Sequence, residues 1–200
     1  MDSIERLTSL FEKFPGIGPR QAGRFVQYLL RSSPALRREL VESVRALDSS
    51  VHQCPNCYRY HSSEKKICYI CANPRRDVSL LALVANDTDV SALEASSTYR
   101  GRYFVLGGTV SLASEKTNRL RIKQLLNSLP SRIKNGLEEV ILAFPANPEG
   151  DATASLLRNE MIEIATPSLR ITTLGRGLST GSELEYADPE TLKNAFERRR

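Results

Sequence analysis

Four cysteines are the residues of this chain whose type and spacing most directly indicate chemistry. They form two Cys-x-x-Cys pairs, Cys54 with Cys57 and Cys68 with Cys71, and ten residues separate the pairs. Two such turns brought together make the tetrahedral four-sulfur cage of a structural zinc site. Two disulfides or a redox pair are the alternatives, but a redox centre needs only one pair and disulfides would need an export signal. The pattern therefore predicts one structural Zn²⁺ bound by the four cysteines.

A glycine-containing hairpin over residues 15–20 is a second candidate site. Its glycines let the backbone approach another backbone closely, and amides at the start of the following helix can bind phosphate. Arg20 and Arg24 lie four residues apart, and hence on one face of that helix. The pattern is typical of a helix-hairpin-helix that holds a nucleic-acid backbone without reading its sequence. A chemically silent turn between two helices is the alternative. Arg37 and Arg38 extend the basic patch along the sequence.

The distribution of charge supports a polyanion-binding face in the first part of the chain. The formal net charge is +5, and residues 1–80 hold 13 Lys and Arg against 8 Asp and Glu, whereas residues 81–200 hold 15 of each kind. Basic charge confined to one region favours binding to a polyanion such as DNA, with a merely solvated surface as the alternative. Arg75 and Arg76 belong to this region and could either contact DNA or pair with carboxylates.

Glu149 and Asp151 form a third candidate site, directly after the apolar segment 139–144. A carboxylate pair at the carboxyl end of a parallel strand lies where open α/β sheets place their sites, and its oxygen atoms are suitable ligands for Mg²⁺. The alternative is that acidic residues at a helix start interact favourably with the helix dipole. The glycine-rich segment 175–181 lacks the phosphate-loop pattern and is predicted to be a flexible loop or a subunit contact.

Apolar spacing predicts the elements that must position these residues. Three helices precede the cysteines, the first over residues 2–12, the second from Pro19 and the third from Pro34, and the third is expected to face inward with Leu36, Leu40, Val41, Val44 and Leu47. After the cysteines, strands are predicted over 80–85, 103–106, 139–144 and 169–174, and helices over 90–96, 118–129, 151–164 and 189–198. This alternation predicts a small α/β sheet covered on both faces.

The predicted fold class is therefore α+β in several parts. We expect a helix-hairpin-helix region over 1–51, a zinc knuckle over 52–77, an α/β domain with a mostly parallel sheet over 78–175 and a C-terminal segment over 176–200. The N-terminal sequence is acidic and has no long apolar run, so neither a signal peptide nor a membrane span is expected. These features predict a cytoplasmic protein whose thiols stay reduced.

In this order, the motifs resemble those of the RecR family of bacterial recombination mediators. The resemblance rests on FPGIGPRQAGR (14–24), the four cysteines followed by NPRR (73–76), GRYFVLGG (101–108), PEGDAT (148–153) and GLSTGSELEYAD (177–188). It implies a helix-hairpin-helix, a C4 zinc motif, a Toprim domain and a C-terminal segment that helps to assemble dimers or tetrameric rings able to surround DNA. It also implies that the protein has no catalytic activity of its own. It further implies that the protein works with RecO, and in some settings RecF, to load RecA onto DNA that is coated by single-strand-binding protein at gaps.

The same resemblance implies roles for individual residues. Arg20 and Arg24 match the family's DNA contacts, the four cysteines match its zinc ligands, and Glu149 and Asp151 match the Toprim acidic pair, which in this family looks more like a RecO contact than a metal site. The chain departs from the pattern at residues 111–117, which replace a glycine- and proline-containing loop, and at Ala85, where Toprim enzymes carry a glutamate.

Two competing hypotheses come from other functional classes. A Toprim-type, Mg²⁺-dependent phosphodiester enzyme, such as a nuclease or a primase-like protein, would need a third carboxylate beside Glu149 and Asp151, and Ala85 removes the central one. A zinc-ribbon protein that holds a complex together without touching DNA is the other hypothesis, and the N-terminal excess of positive charge opposes it.

Overall fold

The computed structural model describes residues 1–112, 120–162, 164 and 169–197. The chain folds into two compact units, an N-terminal unit over Met1–Val51 and a C-terminal unit over His52–Arg200. The first is helical and the second contains a parallel sheet, so the predicted α+β class is confirmed. The finer division into four segments stays a prediction. In the described parts of the chain, no helix is both long enough and apolar enough to cross a membrane.

The N-terminal unit consists of three helices, α1 (Ser3–Phe11), α2 (Pro19–Arg31) and α3 (Pro34–Ser50). Helix α1 begins with a capping box, for which Asp2 and Glu5 have the required spacing of three residues. The Glu5 amide donates to the Asp2 carboxylate at 2.8 Å, and the Asp2 amide donates to the Glu5 carboxylate at 2.9 Å. Helix α2 begins with Pro19 at its first position, where a missing N–H costs nothing.

Helices α1 and α2 form the packed part of the N-terminal unit. Ala22 and Val26 of α2 are fully buried, and the rings of Phe11 and Phe25 meet edge to face at 5.6 Å. The prediction that α3 faces inward is wrong, because none of its residues is buried and its apolar side chains are 37% to 58% exposed. Its amphipathic stripe is present in the sequence, but the three-helix unit has no further element to cover it.

The C-terminal unit begins with the cysteine segment, in which a short hairpin precedes one helical turn. Strand β1 (His52–Gln53) pairs antiparallel with β2 (Tyr60–His61), and α4 (Tyr69–Ala72) follows. The sheet that comes next has the strands β3 (Asp77–Val84), β4 (Gly101–Val105), β5 (Glu139–Ala143) and β6 (Arg170–Thr173). The remaining helices are α5 (Asp87–Ser96), α6 (Ile122–Lys134), α7 (Pro148–Ile162), a 3₁₀ turn (Leu184–Tyr186) and α8 (Pro189–Glu197).

The four larger strands form one parallel sheet in the order β4-β3-β5-β6. Successive side chains of a strand point to opposite faces, and β3 shows the consequence. Leu81 and Leu83 join a core that also contains Leu125 of α6 and Leu157 of α7. Ala82 and Val84 join a second core with Val90 of α5 and three of the cysteines. Three of the cysteines therefore pack on the sheet face opposite α6 and α7, whereas Tyr58 of the same segment packs against the first core.

Candidate metal centre and nucleic-acid interface

Two turns bring the four cysteines together, as the sequence predicts. Cys54 and Cys57 lie between the strands of the β1–β2 hairpin, and Cys68 and Cys71 lie at the start of α4. Their sulfur atoms all lie within 4.8 Å of one another, and the Sγ atoms of Cys57 and Cys68 are 3.6 Å apart. Four sulfurs bound tetrahedrally to zinc at about 2.3 Å would lie about 3.8 Å apart. The cluster therefore has the dimensions of a four-thiolate metal site.

The four sulfurs differ in how strongly their surroundings favour the thiolate, the form that binds metal. Backbone amides approach two of them at 3.5 Å, the amide of Cys68 at the Cys54 sulfur and the amide of Cys71 at the Cys68 sulfur. The hydrogen bond with Cys57, and then the one with Cys71, hold the pKa of the Cys68 thiol below its usual range, although burial opposes them. The hydrogen bonds with Cys68 and Cys71, and then burial, instead raise the pKa of the Cys57 thiol. The hydrogen bond with Cys57 lowers the pKa of the Cys71 thiol, but the one with Cys68 and burial outweigh it and raise that pKa.

A partly buried arginine supplies a counter-charge for the cluster. The Nε and Nη1 atoms of Arg59 are buried without a hydrogen-bond partner among the described residues, and the guanidinium lies 5.2 Å from the ring centre of Tyr69. Its charge interacts with the thiols of Cys57 and Cys68. A buried cation needs compensating negative charge nearby, and four thiolates around one divalent ion leave such a charge. The donor set and Arg59 together fit a zinc ion in a closed, structural site.

The cysteine cluster is also tied to the sheet. The amide of Val105 in β4 donates to the carbonyl of Cys57 at 2.8 Å, and Arg132 of α6 donates to the carbonyl of Asn56. Ile70 of α4 is buried in the same core as the strand residue Tyr103. A metal ion bound by the cysteines would therefore help to fix one edge of the sheet as well as the short hairpin.

The hairpin between α1 and α2 has the backbone that phosphate binding requires. Gly16 has a φ of +78°, a left-handed conformation that favours glycine. Gly18 is the N-cap of α2 and supplies no side-chain hydrogen bond to the first turn. The amides at this end of α2 are consequently available to an anion, and the helix dipole favours negative charge there.

Arg20 and Arg24 both lie exposed on α2, one turn apart. Neither forms an ion pair with a described carboxylate. Of the two residues expected to extend this patch, Arg37 has another role, because its Nη1 donates to the carbonyls of Leu29 and Ser32 and so closes the end of α2. Arg38 is exposed and has no ion-pair partner among the described residues. Arg20 and Arg24 therefore remain free to bind phosphate.

At the carboxyl edge of the sheet, the position expected to hold a glutamate is a buried alanine. Ala85 follows β3, is 1% exposed, and its carbonyl accepts from the amides of Gly107 and Gly108 at 2.9 Å. Glu149 and Asp151 lie in the first turn of α7, beyond the end of β5. Gly150 between them is required by space, because a Cβ there would collide with the carbonyl oxygen of Pro145.

An arginine that sequence reasoning missed binds one of these carboxylates. Both terminal nitrogens of Arg176 donate to Asp151, with a distance of 3.1 Å from Nη1 to Oδ2. The hydrogen bonds and charge of Arg176 hold the pKa of Asp151 below its usual range. In the described ranges, the four cysteines are the only group of three or more His, Cys, Asp or Glu side chains close enough to share a metal ion. The glycine-rich segment that carries Arg176 was the available signal, although it does not identify the partner.

The two arginines after the cysteine segment have different environments. Arg76 donates to Glu94 of α5 and to the carbonyls of Tyr99 and Gly101, and its guanidinium lies 5.9 Å from the ring centre of Tyr103. Arg75 is exposed and has no ion-pair partner among the described residues. Of the two readings that the sequence leaves open, pairing with a carboxylate thus applies to Arg76.

Comparisons with known proteins agree with this arrangement. Residues 79–174 match the family model of the Toprim domain, and residues 177–200 match the model described as RecR, C-terminal. Recombination protein RecR of Chloroflexus aurantiacus (strain ATCC 29366 / DSM 635 / J-10-fl) is 40% identical over 198 residues, which cover 98% of this chain and 93% of that protein. The protein of the same name from Paenarthrobacter aurescens (strain TC1) is 36% identical over 200 residues, 99% of this chain and 96% of that protein. The one from Synechococcus sp. (strain RCC307) is 40% identical over 199 residues, 98% of this chain and 88% of that protein.

Proposed function

The chain belongs to the RecR family of recombination proteins, and from this premise we propose that it is a non-enzymatic, DNA-binding mediator of recombination in DNA repair. It acts with RecO, and in some settings with RecF, to load RecA onto single-stranded DNA that is coated by single-strand-binding protein at gaps. It works in the cytoplasm, where its four thiols stay reduced and available to metal.

The observation that carries the proposal is the state of the hairpin. Arg20 and Arg24 are exposed and unpaired in the described chain, beside the uncapped start of α2. Guanidinium groups and backbone amides recognise phosphate oxygens, and phosphate contacts carry no base information. The hairpin therefore supports binding to single-stranded, double-stranded or gapped DNA independently of sequence, which a mediator acting at arbitrary gaps needs.

One Zn²⁺ bound by Cys54, Cys57, Cys68 and Cys71 is proposed as the cofactor, and its role is structural. The segment around the cysteines is too short to build an apolar core of its own, so metal binding supplies folding free energy there. The Arg59 guanidinium balances the charge of the thiolates, and the closed set of four protein ligands leaves no position for a substrate.

The acidic edge of the sheet supports a protein contact better than metal chemistry. Ala85 offers no carboxylate, and Arg176 already neutralises Asp151, so two groups that a Mg²⁺ site would use are missing or engaged. Glu149, which has no ion-pair partner among the described residues, and the exposed part of Asp151 form a small acidic surface. We assign this surface to a basic region of RecO. The exposed apolar stripe of α3 supports self-association into a dimer or a tetrameric ring.

DNA binding by the Arg20→Ala/Arg24→Ala variant tests the proposed interface. We expect weaker binding to every sequence alike, and a plot of log affinity against log salt that is shallower by about 0.7 per lost contact on single strands and about 0.9 on duplex. The Lys123→Ala/Lys134→Ala variant, which removes two exposed charges from α6, serves as the matched control. Unchanged affinity in the arginine variant would support the scaffold hypothesis instead.

Mediator activity is tested with RecA ATP hydrolysis on single-stranded DNA that is pre-coated with single-strand-binding protein. With cognate RecO present, adding this chain should shorten the lag before hydrolysis. No effect in the presence of active RecO would contradict the proposal. Mg²⁺-dependent DNA cleavage that disappears in Glu149→Ala would instead establish the competing enzymatic hypothesis.

A further inference from the structure

We propose that Arg75 and Arg100 form a second phosphate-binding site, separate from the hairpin, which takes a phosphodiester group of the nucleic-acid backbone. The two side chains line one cavity of about 360 Å³ in the C-terminal unit, together with Asn73, Arg76, Glu94, Ser97 and Tyr99. Cavities that bind small ligands have volumes of about 300–1,000 Å³. The proposal rests on the proposed function, because it assumes that DNA is the polyanion.

The charges that line the cavity leave it positive. Glu94 is engaged by Arg76 and by the hydroxyl of Tyr103, which donates to it at 2.6 Å. Arg76 and Glu94 therefore cancel within the wall. The end of α5 at Ser97 contributes the partial negative charge of a helix C-terminus, about half a unit. Arg75 and Arg100 each contribute a full positive charge, which outweighs this partial charge.

Both of these guanidinium groups are available to a ligand. Arg75 and Arg100 are exposed, and no carboxylate of the described residues lies within ion-pair distance of either. Asp77, the acidic residue nearest to them along the chain, has its carboxylate held by Ser79, whose amide and hydroxyl donate to it at 2.9 Å and 2.7 Å. The cavity thus contains two cations and no free anion.

The backbone around the cavity holds the two arginines on rigid elements. The amide of Arg75 donates to the Asn73 side chain at 2.9 Å, which fixes the turn after α4. The amide of Asp77 donates to the carbonyl of Arg100 at 3.0 Å and joins the beginnings of the paired strands β3 and β4. Because the backbone of both arginines is fixed, only the two side chains have to be ordered when a phosphate binds. Each guanidinium group is planar and can donate two parallel hydrogen bonds to the oxygens of one phosphate.

The test measures DNA affinity by fluorescence anisotropy over a salt series, for wild-type protein and the variants Arg75→Ala/Arg100→Ala, Arg20→Ala/Arg24→Ala and Lys123→Ala/Lys134→Ala. For the Arg75→Ala/Arg100→Ala variant we expect about tenfold weaker binding, since two charged contacts with phosphate are lost. Its salt slope should fall by about 1.4 on single strands. Charge reversal, Arg75→Glu/Arg100→Glu, should weaken binding further. Neither arginine side chain forms a hydrogen bond or an ion pair with the described residues. The circular dichroism spectrum and the zinc content of these variants should therefore equal those of the wild-type protein.

The outcomes separate this site from the hairpin and from other ligands. If Arg20→Ala/Arg24→Ala weakens binding but Arg75→Ala/Arg100→Ala equals the lysine control, the cavity is not a DNA site and the hairpin proposal stands. If wild-type protein binds no DNA, both proposals fail. Calorimetric titration with inorganic phosphate at constant ionic strength distinguishes the source of the anion. Phosphate binding that is lost in Arg75→Ala/Arg100→Ala, with DNA affinity unchanged, would overturn the nucleic-acid assignment in favour of a free anion.

Discussion

The ion pair between Arg76 and Glu94 gives a prediction whose size follows from its burial. The two side chains are 13% and 20% exposed, and the Glu94 carboxylate also accepts from Tyr103. Replacing Glu94 with Gln leaves the Arg76 cation largely buried and without its counter-charge. Breaking a fully buried pair costs about 3–5 kcal/mol, whereas breaking an exposed pair costs about 0–1 kcal/mol. Since some water reaches both side chains, we expect Glu94→Gln to lower the free energy of unfolding by about 2–3 kcal/mol.

Urea unfolding of the zinc-loaded protein measures this change, and the chain offers a matched control. Glu139 pairs with Arg170 at 2.9 Å, but that arginine side chain is 67% exposed. Glu139→Gln makes the same chemical change in β5 of the same unit and should cost no more than about 1 kcal/mol. If Glu94→Gln costs no more than Glu139→Gln, the inference that Arg76 and Glu94 act as a desolvated pair is refuted.

The pH dependence of the same variant checks the physical cause. Burial disfavours the charged form of Glu94, but the hydrogen bonds and charge of Arg76 and Tyr103 outweigh it, so the pKa of Glu94 lies below its usual range in the folded protein. A lowered pKa stabilises the fold above the unfolded-state value, about 4.3, and this contribution is lost as the pH falls through the folded-state value. The stability difference between wild type and Glu94→Gln should therefore shrink below about pH 4. A difference that is constant down to acid pH would contradict this cause.

Three further predictions concern the metal centre and the acidic edge. Cys57→Ser should remove bound zinc, measured as metal per chain, and destabilise the C-terminal unit, because a structural site needs all four thiolates; wild type should hold one zinc per chain. Arg59→Met should speed the release of zinc to a colourimetric chelator, and Arg59→Lys should release it more slowly than Arg59→Met does, since a cation is kept; equal rates in all three proteins would refute the counter-charge role. Asp151→Asn should lower the free energy of unfolding by at most about 1 kcal/mol, because Asp151 is 46% exposed. The same variant should bind RecO more weakly in a pull-down. Undiminished binding would show that the acidic surface is not part of the RecO interface.

Much of the fold could be predicted from the sequence because its signals are local. The cysteine spacing, the apolar runs of the sheet strands and the capping box of α1 each involve neighbouring residues, and the structure confirms them within a few residues. Helix α6 shows the limit of such reasoning. It was expected to end at Leu129, yet it continues through Pro130 to Lys134. Residues 118 and 119 of the predicted helix lie outside the described residues.

The missed features depend on contacts between residues that are distant in the sequence. Glu94 meets Arg76 across 18 positions and Arg176 meets Asp151 across 25, and neither spacing has a local pattern. The same reason explains the error at α3. An amphipathic stripe indicates that one face of the helix favours burial against another surface. The sequence does not show whether that surface belongs to the same unit. Arg100 could not be selected either, because only the pairing of β3 with β4 brings it beside Arg75.

The edge of the sheet illustrates how a family fold can keep its geometry while its chemistry changes. The parallel strands, the tight approach at Gly150 and the acidic first turn of α7 are all present. At the end of β3, however, the position where the resemblance implies a glutamate is the buried Ala85, and the C-terminal segment places Arg176 on Asp151. A guanidinium satisfies the charge of one carboxylate and offers no Lewis acid to a phosphate. These elements are the basis for the proposed contact with a basic protein surface, and the cations at the hairpin and beside β3 are the basis for the proposed binding of DNA.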